Sequence, residues 1–313
     1  MAPVRLAVIG VGHLGRHHAR ILRTLPGVQF VAAADLVRAR ADAAVAGSDV
    51  RAVGDARELV GAVDAVVVAV PTVAHLSVAR PFLEAGVHVL VEKPMAACMK
   101  DADTFLRLAA QQGCVLAVGH SERFNPAVAA AWPLITAPRF IEVHRLSTFP
   151  ERSLDVDVIF DVMIHDLDII RAIDTSEVVD VQALGIPVLT PRVDIANVRL
   201  RFASGCVANL TASRISREQV RKIRFFQADS YVSIDYAAQE VEAWRLVPQG
   251  TDRPKIEGGR VPVSGEEPLV LELTDFVAAI REGRRPTVSG EDGREALALA
   301  TRIAETIAHG SGT

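Results

Sequence analysis

The chain reads as an α/β protein of two domains, a doubly wound parallel sheet followed by an α+β domain with a large open, mostly antiparallel sheet. Three observations predict this. Up to Gly119, short apolar runs alternate with helix-like segments, the pattern of repeated βαβ units. The first of those runs enters a glycine-rich turn that opens a helix. From Arg139 onward, strand-like runs follow one another with almost no helix between them, as an antiparallel sheet requires. A length of 313 residues suits two domains rather than one small core, and the change of texture places them at 1–120 and 121–313.

Half of the residues are hydrophobic and the net charge is −4. No basic field is present to attract nucleic acid or anionic lipid, so a small-molecule partner is expected. Cys98, Cys114 and Cys206 are odd in number and widely spaced, which points to a reducing, cytoplasmic setting and against a structural metal. Met1 to Gly10 reads as a strand rather than a secretion signal. The most apolar run, Ala65 to Val70, is far short of the ~20 residues that a membrane span needs.

In chain order, Leu6 to Ile9 is the first strand. It runs into Gly10-Val11-Gly12-His13-Leu14-Gly15, and a helix over Arg16 to Leu25 follows, with Leu14, Ile21, Leu22 and Leu25 as its apolar stripe. Strand, glycine turn and helix together are the dinucleotide-binding, or Rossmann, arrangement: the first two glycines let the backbone approach a pyrophosphate, and the third lets the helix sit close to the strand. The alternative is an ordinary glycine turn. A second strand, Phe30 to Ala34, ends in Asp35, twenty residues beyond Gly15, where an acid would bind the ribose hydroxyls. An acid there repels a 2′-phosphate, which favours NAD over NADP, whereas Arg38 and Arg40 are the residues that could serve NADP.

A helix over Leu36 to Ala46, a short strand near Val50 and the continuously apolar strand Ala65 to Val70 follow, the last covered on both faces. It ends in Pro71-Thr72, with His75 one turn into the next helix. Ligands of open parallel sheets bind beyond the carboxyl ends of strands, so Pro71, Thr72 and His75 are candidate cofactor contacts; His75 packed locally is the alternative. The next strand ends in Glu92-Lys93-Pro94. Of 34 basic residues only four are lysines (Lys93, Lys100, Lys222 and Lys255). Where any cation would serve, this chain uses arginine, so Lys93 suggests an amine whose proton can move; the bland alternative is a surface lysine in a turn.

In the second half, strands are expected from Phe140, over 178–188, 193–202, 207–213, 222–228, 231–236 and 241–247, with 248–268 as a surface loop and two closing helices near 269–282 and 291–309, the last packed back on the first domain. The exception to the strand series is Ile159 to Asp174, read as an apolar helix with one polar stripe. At about 100° per residue Asp161, His165 and Asp168 share a ~60° arc. A carboxylate and an imidazole on an apolar helix are either paired or line a cavity; an N-cap acid and a satisfied buried histidine is the alternative. A metal site from His165, Asp166 and Asp168 is not expected, because Asp166 points to another face.

Taken together, Gly10-x-Gly12-x-x-Gly15, Glu92-Lys93-Pro94 and Asp161-x-x-x-His165-Asp166-x-Asp168 resemble the glucose-fructose oxidoreductase and inositol dehydrogenase family, over the whole chain and in order. The resemblance implies an N-terminal Rossmann domain for NAD(P) and a C-terminal sheet that supplies a sugar site and a face for a homodimer or homotetramer. It implies that Lys93 lies beside the hydroxyl being oxidised, that His165 is the general base, that Asp161 orients substrate and base, and that Pro94 is cis. Cofactor contacts would come from Gly10, Gly12, His13, Leu14, Gly15, Asp35, Arg40, Pro71, Thr72, His75, Glu92 and Lys93.

Within that family, the strings Gly119 to Pro126 and Val158 to Asp168 are similar to the branch that oxidises the 3-hydroxyl of UDP-N-acetylglucosamine for amination on the way to an amide-linked lipid A. Arg123, Asn125, Arg145 and Arg152 are the polar groups expected around sugar and diphosphate, since arginine grips phosphate oxygens bidentately. Each could equally be a surface or interface residue. Two further readings stay open: an inositol or free-sugar dehydrogenase, and a non-catalytic NAD-binding regulator, which would need none of Lys93, Asp161 and His165.

Overall fold

A computed structural model describes residues 2–149, 156–250 and 252–310. The chain divides into two compact units, Met1–Ser121 with Leu269–Leu297, and Glu122–Pro268 with Ala298–Thr313. The segment 269–297 thus groups with the first unit.

The first unit alternates β1 (Val4–Ile9), α1 (Gly15–Leu22), β2 (Val28–Ala34), α2 (Arg38–Val45), β3 (Arg51–Val53), β4 (Ala65–Val68), α3 (His75–Glu84), β5 (His88–Glu92), α4 (Met99–Gln112) and β6 (Leu116–Gly119). Its sheet has the order β3-β2-β1-β4-β5-β6 and every pairing is parallel. Strand order reverses between β1 and β4, and the carboxyl ends on either side of that point are where such sheets bind ligands. All four residues of β4 are fully buried, which explains why that strand shows no polar alternation. Leu6, Val8, Val67 and Leu90 from the strands pack with Ile21 and Leu22 of α1, and with Leu273, Phe276 and Val277 of a late helix.

The second unit opens with a short helix, α5 (Pro126–Ala131), then β7 (Phe140–Leu146), a π-helical turn (Ile159–Met163) that continues into α6 (Ile164–Ile173), and β8 to β14: Val178–Ile186, Ile195–Phe202, Val207–Ser213, Val220–Phe226, Ser230–Asp235, Glu240–Gln249 and Asp252–Val261. Two helices end the chain, α7 (Pro268–Glu282) and α8 (Gly290–Gly310); α7 is the late helix that packs on the first sheet. The eight strands lie in the order β14-β13-β12-β11-β7-β10-β9-β8, and only β7 with β10 is parallel. In β9, Ala196, Val198, Leu200 and Phe202 are buried while Asn197, Arg199 and Arg201 are exposed, the alternation of a sheet covered on one side.

Two expectations are corrected here. The segment 248–268 is not a loop throughout, because residues Asp252–Val261 form edge strand β14 against β13. An edge strand needs one partner only and tolerates proline, glycine and charge, so its composition resembled a loop. A Cβ at Gly258 would collide with the Ala243 carbonyl, so glycine there lets the two strands approach. The stretch 159–174 is not one regular helix, because its first five residues form the π turn.

Candidate active site

In the first unit, β1 ends at Ile9 and the backbone turns at Gly10, whose φ is +84°. A Cβ at Gly10 would lie 2.6 Å from the Ala69 carbonyl oxygen, and one at Gly15 would collide with the Gly10 carbonyl. At Gly12 nothing lies within 4 Å of that position. The first and third glycines are therefore demanded by packing, while the second leaves bare backbone open in front of α1. His13 and Leu14 are exposed beside it.

Asp35, one residue beyond β2, accepts hydrogen bonds from the Val11 N–H at 3.0 Å and the Val37 N–H at 2.8 Å, which fixes its carboxylate against the glycine turn. Arg38 is paired with Asp42 at 2.9 Å, and Arg40 is exposed. Pro71 and Thr72 follow β4 at the next strand end, Pro71 exposed and Thr72 half-buried. Open backbone at a helix N-terminus with an acid on the neighbouring strand fits a dinucleotide: N–H groups for the pyrophosphate and a carboxylate for the ribose.

Lys93 directly follows β5, is half-buried, and precedes a cis peptide bond to Pro94. Glu92 is buried. Its Oε1 lies 2.7 Å from His18 Nε2 on α1, and its Oε2 accepts the Lys93 backbone N–H at 3.3 Å. Burial would raise the Glu92 pKa, but the hydrogen bond from His18 and the charges of His18 and Lys93 outweigh it and hold the group low. Glu92 therefore supports the lysine from inside, rather than presenting itself to a ligand.

His75 packs locally, the alternative weighed for it above. It is enclosed, with Nδ1 3.1 Å from the Pro94 carbonyl and Nε2 2.9 Å from the Val70 carbonyl, and burial lowers its pKa. The ring ties the segment after β4 to the Lys93-Pro94 turn.

In the second unit, Asp161 lies in the π turn and His165 on the first turn of α6, both half-buried. The other two acids of the segment are buried and committed. Asp168 takes a bidentate pair from Arg123 at 2.9 and 2.7 Å. Asp166 takes one from Arg145 at 2.6 and 2.9 Å, while Arg145 also reaches Glu122 at 3.0 Å and lies over the Tyr236 ring at 4.8 Å. Asp166 and Glu122 outweigh burial, so the Arg145 guanidinium is held charged.

Asn125 caps α5 through the Ala127 N–H and donates to Glu122 and the Tyr236 carbonyl. Arg123, Asn125 and Arg145, expected around sugar and diphosphate, are thus each engaged with internal partners. Arg152 lies outside the described residues.

Sequence reasoning missed what anchors this segment. Arg214 and Asp194 are fully buried and paired at 2.9 Å. Arg214 also donates to the Val156 carbonyl at 2.7 Å, and Asp157 accepts the Val193 N–H at 2.9 Å. Burial opposes the Asp194 carboxylate, but N–H groups of Thr190, Leu189 and Val188 and the Thr190 hydroxyl hold its pKa well below the usual range. The pair thus clamps residues 156–158, immediately before the π turn that carries Asp161. A buried ion pair of residues twenty positions apart leaves no periodic trace in a sequence.

Comparison with known proteins settles the family. Residues 4–120 match the oxidoreductase family with an NAD-binding Rossmann fold, and residues 137–228 match the GFO/IDH/MocA C-terminal domain. The chain belongs to the GFO/IDH/MocA oxidoreductase family. It is 37% identical to UDP-N-acetylglucosamine 3-dehydrogenase of Acidithiobacillus ferrooxidans, covering 97% of each chain. A solved structure of that enzyme superposes with a TM-score of 0.91 at 36% identity, covering 98% of each chain. Inositol 2-dehydrogenase of Rhizobium meliloti is 27% identical over 97% of each chain. A levoglucosan dehydrogenase solved with NADH and levoglucosan, 19% identical and with a TM-score of 0.88 over 98% of each chain, shares the fold. Among the described residues no helix is long and apolar enough to cross a membrane.

Proposed function

We propose that the protein is an NAD-dependent dehydrogenase that oxidises the 3-hydroxyl of UDP-N-acetylglucosamine to a 3-keto nucleotide sugar, a substrate for amination toward lipid A. The observation that carries this reading is the likeness, over nearly the whole of both chains, to an enzyme of that name. Lys93, Asp161 and His165 support it as a set of groups suited to alcohol oxidation.

Bound NAD supplies the hydride acceptor. The chain's part is to place the alcohol and manage its proton. Neutral His165 takes the hydroxyl proton near pH 7, and the Asp161 carboxylate favours the imidazolium that results. The Lys93 ammonium stabilises the negative charge that develops on the oxygen. Asp35, held against the glycine turn, accepts the ribose hydroxyls and disfavours a 2′-phosphate. Homodimer or homotetramer formation would use the face of the second sheet that leaves Leu184, Ile186, Leu246 and Ile256 exposed.

One observation favours a second reading. Arg123 and Arg145 are ion-paired with Asp168 and Asp166, and arginines held this way are less available to a diphosphate, which suits an uncharged polyol. The deciding experiment follows NADH formation over a panel of UDP-sugars and polyols, with mass spectrometry of the keto product. Turnover of UDP-N-acetylglucosamine supports the first reading; turnover of inositols or free sugars alone replaces it with the second; cofactor binding without hydride transfer to either class leaves a regulator.

A further inference from the structure

His18 on α1, Glu92 at the end of β5 and Glu272 on α7 bring an imidazole and two carboxyl groups within 4.8 Å of one another in the first unit. They are 0%, 6% and 2% exposed. His18 Nε2 and both oxygens of Glu92 are engaged as described above, while His18 Nδ1 has no hydrogen-bond partner among the described residues. Neither of the Glu272 carboxyl oxygens has a hydrogen-bond partner among the described residues. The charged and titratable groups that face this cluster are Lys93 and His75 toward Glu92, and Asp275 and Glu92 toward Glu272.

Two carboxylates this close and shielded from water cannot both ionise cheaply. Glu92 has a donor in His18 and a cation in Lys93; Glu272 has neither. Burial, then the negative charges of Glu92 and Asp275, push Glu272 well above the ordinary carboxylate range.

We propose that Glu272 is carried as a neutral carboxylic acid and that, together with His18, it holds Glu92 in the place that positions Lys93 for the reaction. This rests on the reading of Lys93 as the group that stabilises the developing alkoxide. His18 and Glu272 are positioning residues that act through Glu92. A protonated Glu272 fills the space beside Glu92 with a polar group and adds no charge. An ionised Glu272 would repel Glu92. An apolar side chain would remove the polar neighbour that the Glu92 carboxylate packs beside.

The test uses the NAD-loaded protein. Infrared difference spectra of wild type against Glu272→Gln should show the carbonyl band of a protonated carboxylic acid at neutral pH, present in wild type and absent in the variant. Glu272→Leu should lower kcat about tenfold with little change in KM, and Glu272→Gln should rescue most of that loss because an amide is neutral and of the same shape.

Absence of the band, a glutamine variant as impaired as the leucine variant, or a stoichiometric divalent metal on the purified protein that is lost in Glu272→Gln would each overturn the proposal. Should Glu272→Leu not fold, the band and the glutamine rate still decide. Wild-type turnover in Lys93→Ala would remove the role of Lys93 while leaving the band intact, so the two failures are distinguishable.

Discussion

Glu272 shows how one buried group can write itself into stability. Its pKa in the folded protein is raised above the unfolded value, so the native state keeps a proton that the unfolded chain releases. Stability from this group is complete below the ordinary glutamate range and is lost as pH rises toward the folded pKa. Across that window wild type should lose stability steadily relative to Glu272→Gln. Thermal unfolding of both proteins from roughly pH 5 to pH 8 should show a gap that widens in favour of the variant; parallel curves would show that Glu272 is ionised.

Asp35 gives a second prediction at this scale. Asp35→Ala should weaken NAD binding more than NADP binding in fluorescence titrations, and an unchanged preference would remove the carboxylate from the ribose. The strand-end positions of Asp35 and Lys93 were legible in the sequence because each stands beside a local motif. His18 and Glu272 were not, since a charged residue on a helix ordinarily marks the solvated face, and only the packing of α7 buries this one.

At the scale of elements, the π turn of Ile159–Met163 carries Asp161, and the segment is fixed at its start by Arg214 and Asp194. Truncating Arg214 to Met leaves Asp194 buried without its cation, so Arg214→Met should cost about 3–5 kcal/mol in chemical denaturation and should lower kcat through displaced Asp161 and His165. A loss below about 1 kcal/mol would show that the pair is not an anchor.

The apolar pattern announced a helix here correctly, but the period of 3.6 residues fails across a π turn, and the predicted stripe mixed residues with different fates: Asp161 and His165 stay half-buried while Asp168 is taken by Arg123. The first sheet was legible strand by strand because βαβ units switch period at each boundary. Edge strand β14 was hidden by its glycines and charges, which an edge permits and a central strand would not.

For the whole molecule, the family likeness and the order of the first sheet fix the cofactor domain, and the substrate is where further measurement matters most. The reading of Lys93 as charge stabiliser and His165 as base makes one demand that no structural role for these residues would produce. The decisive measurement is the initial rate of NADH formation from UDP-N-acetylglucosamine by wild type, Lys93→Ala and His165→Ala at saturating NAD. The account predicts clear turnover by wild type and a loss of about 100-fold or more in each variant, with both variants still binding NAD. Wild-type rates in both variants, or a wild-type protein that leaves this sugar untouched, would contradict it.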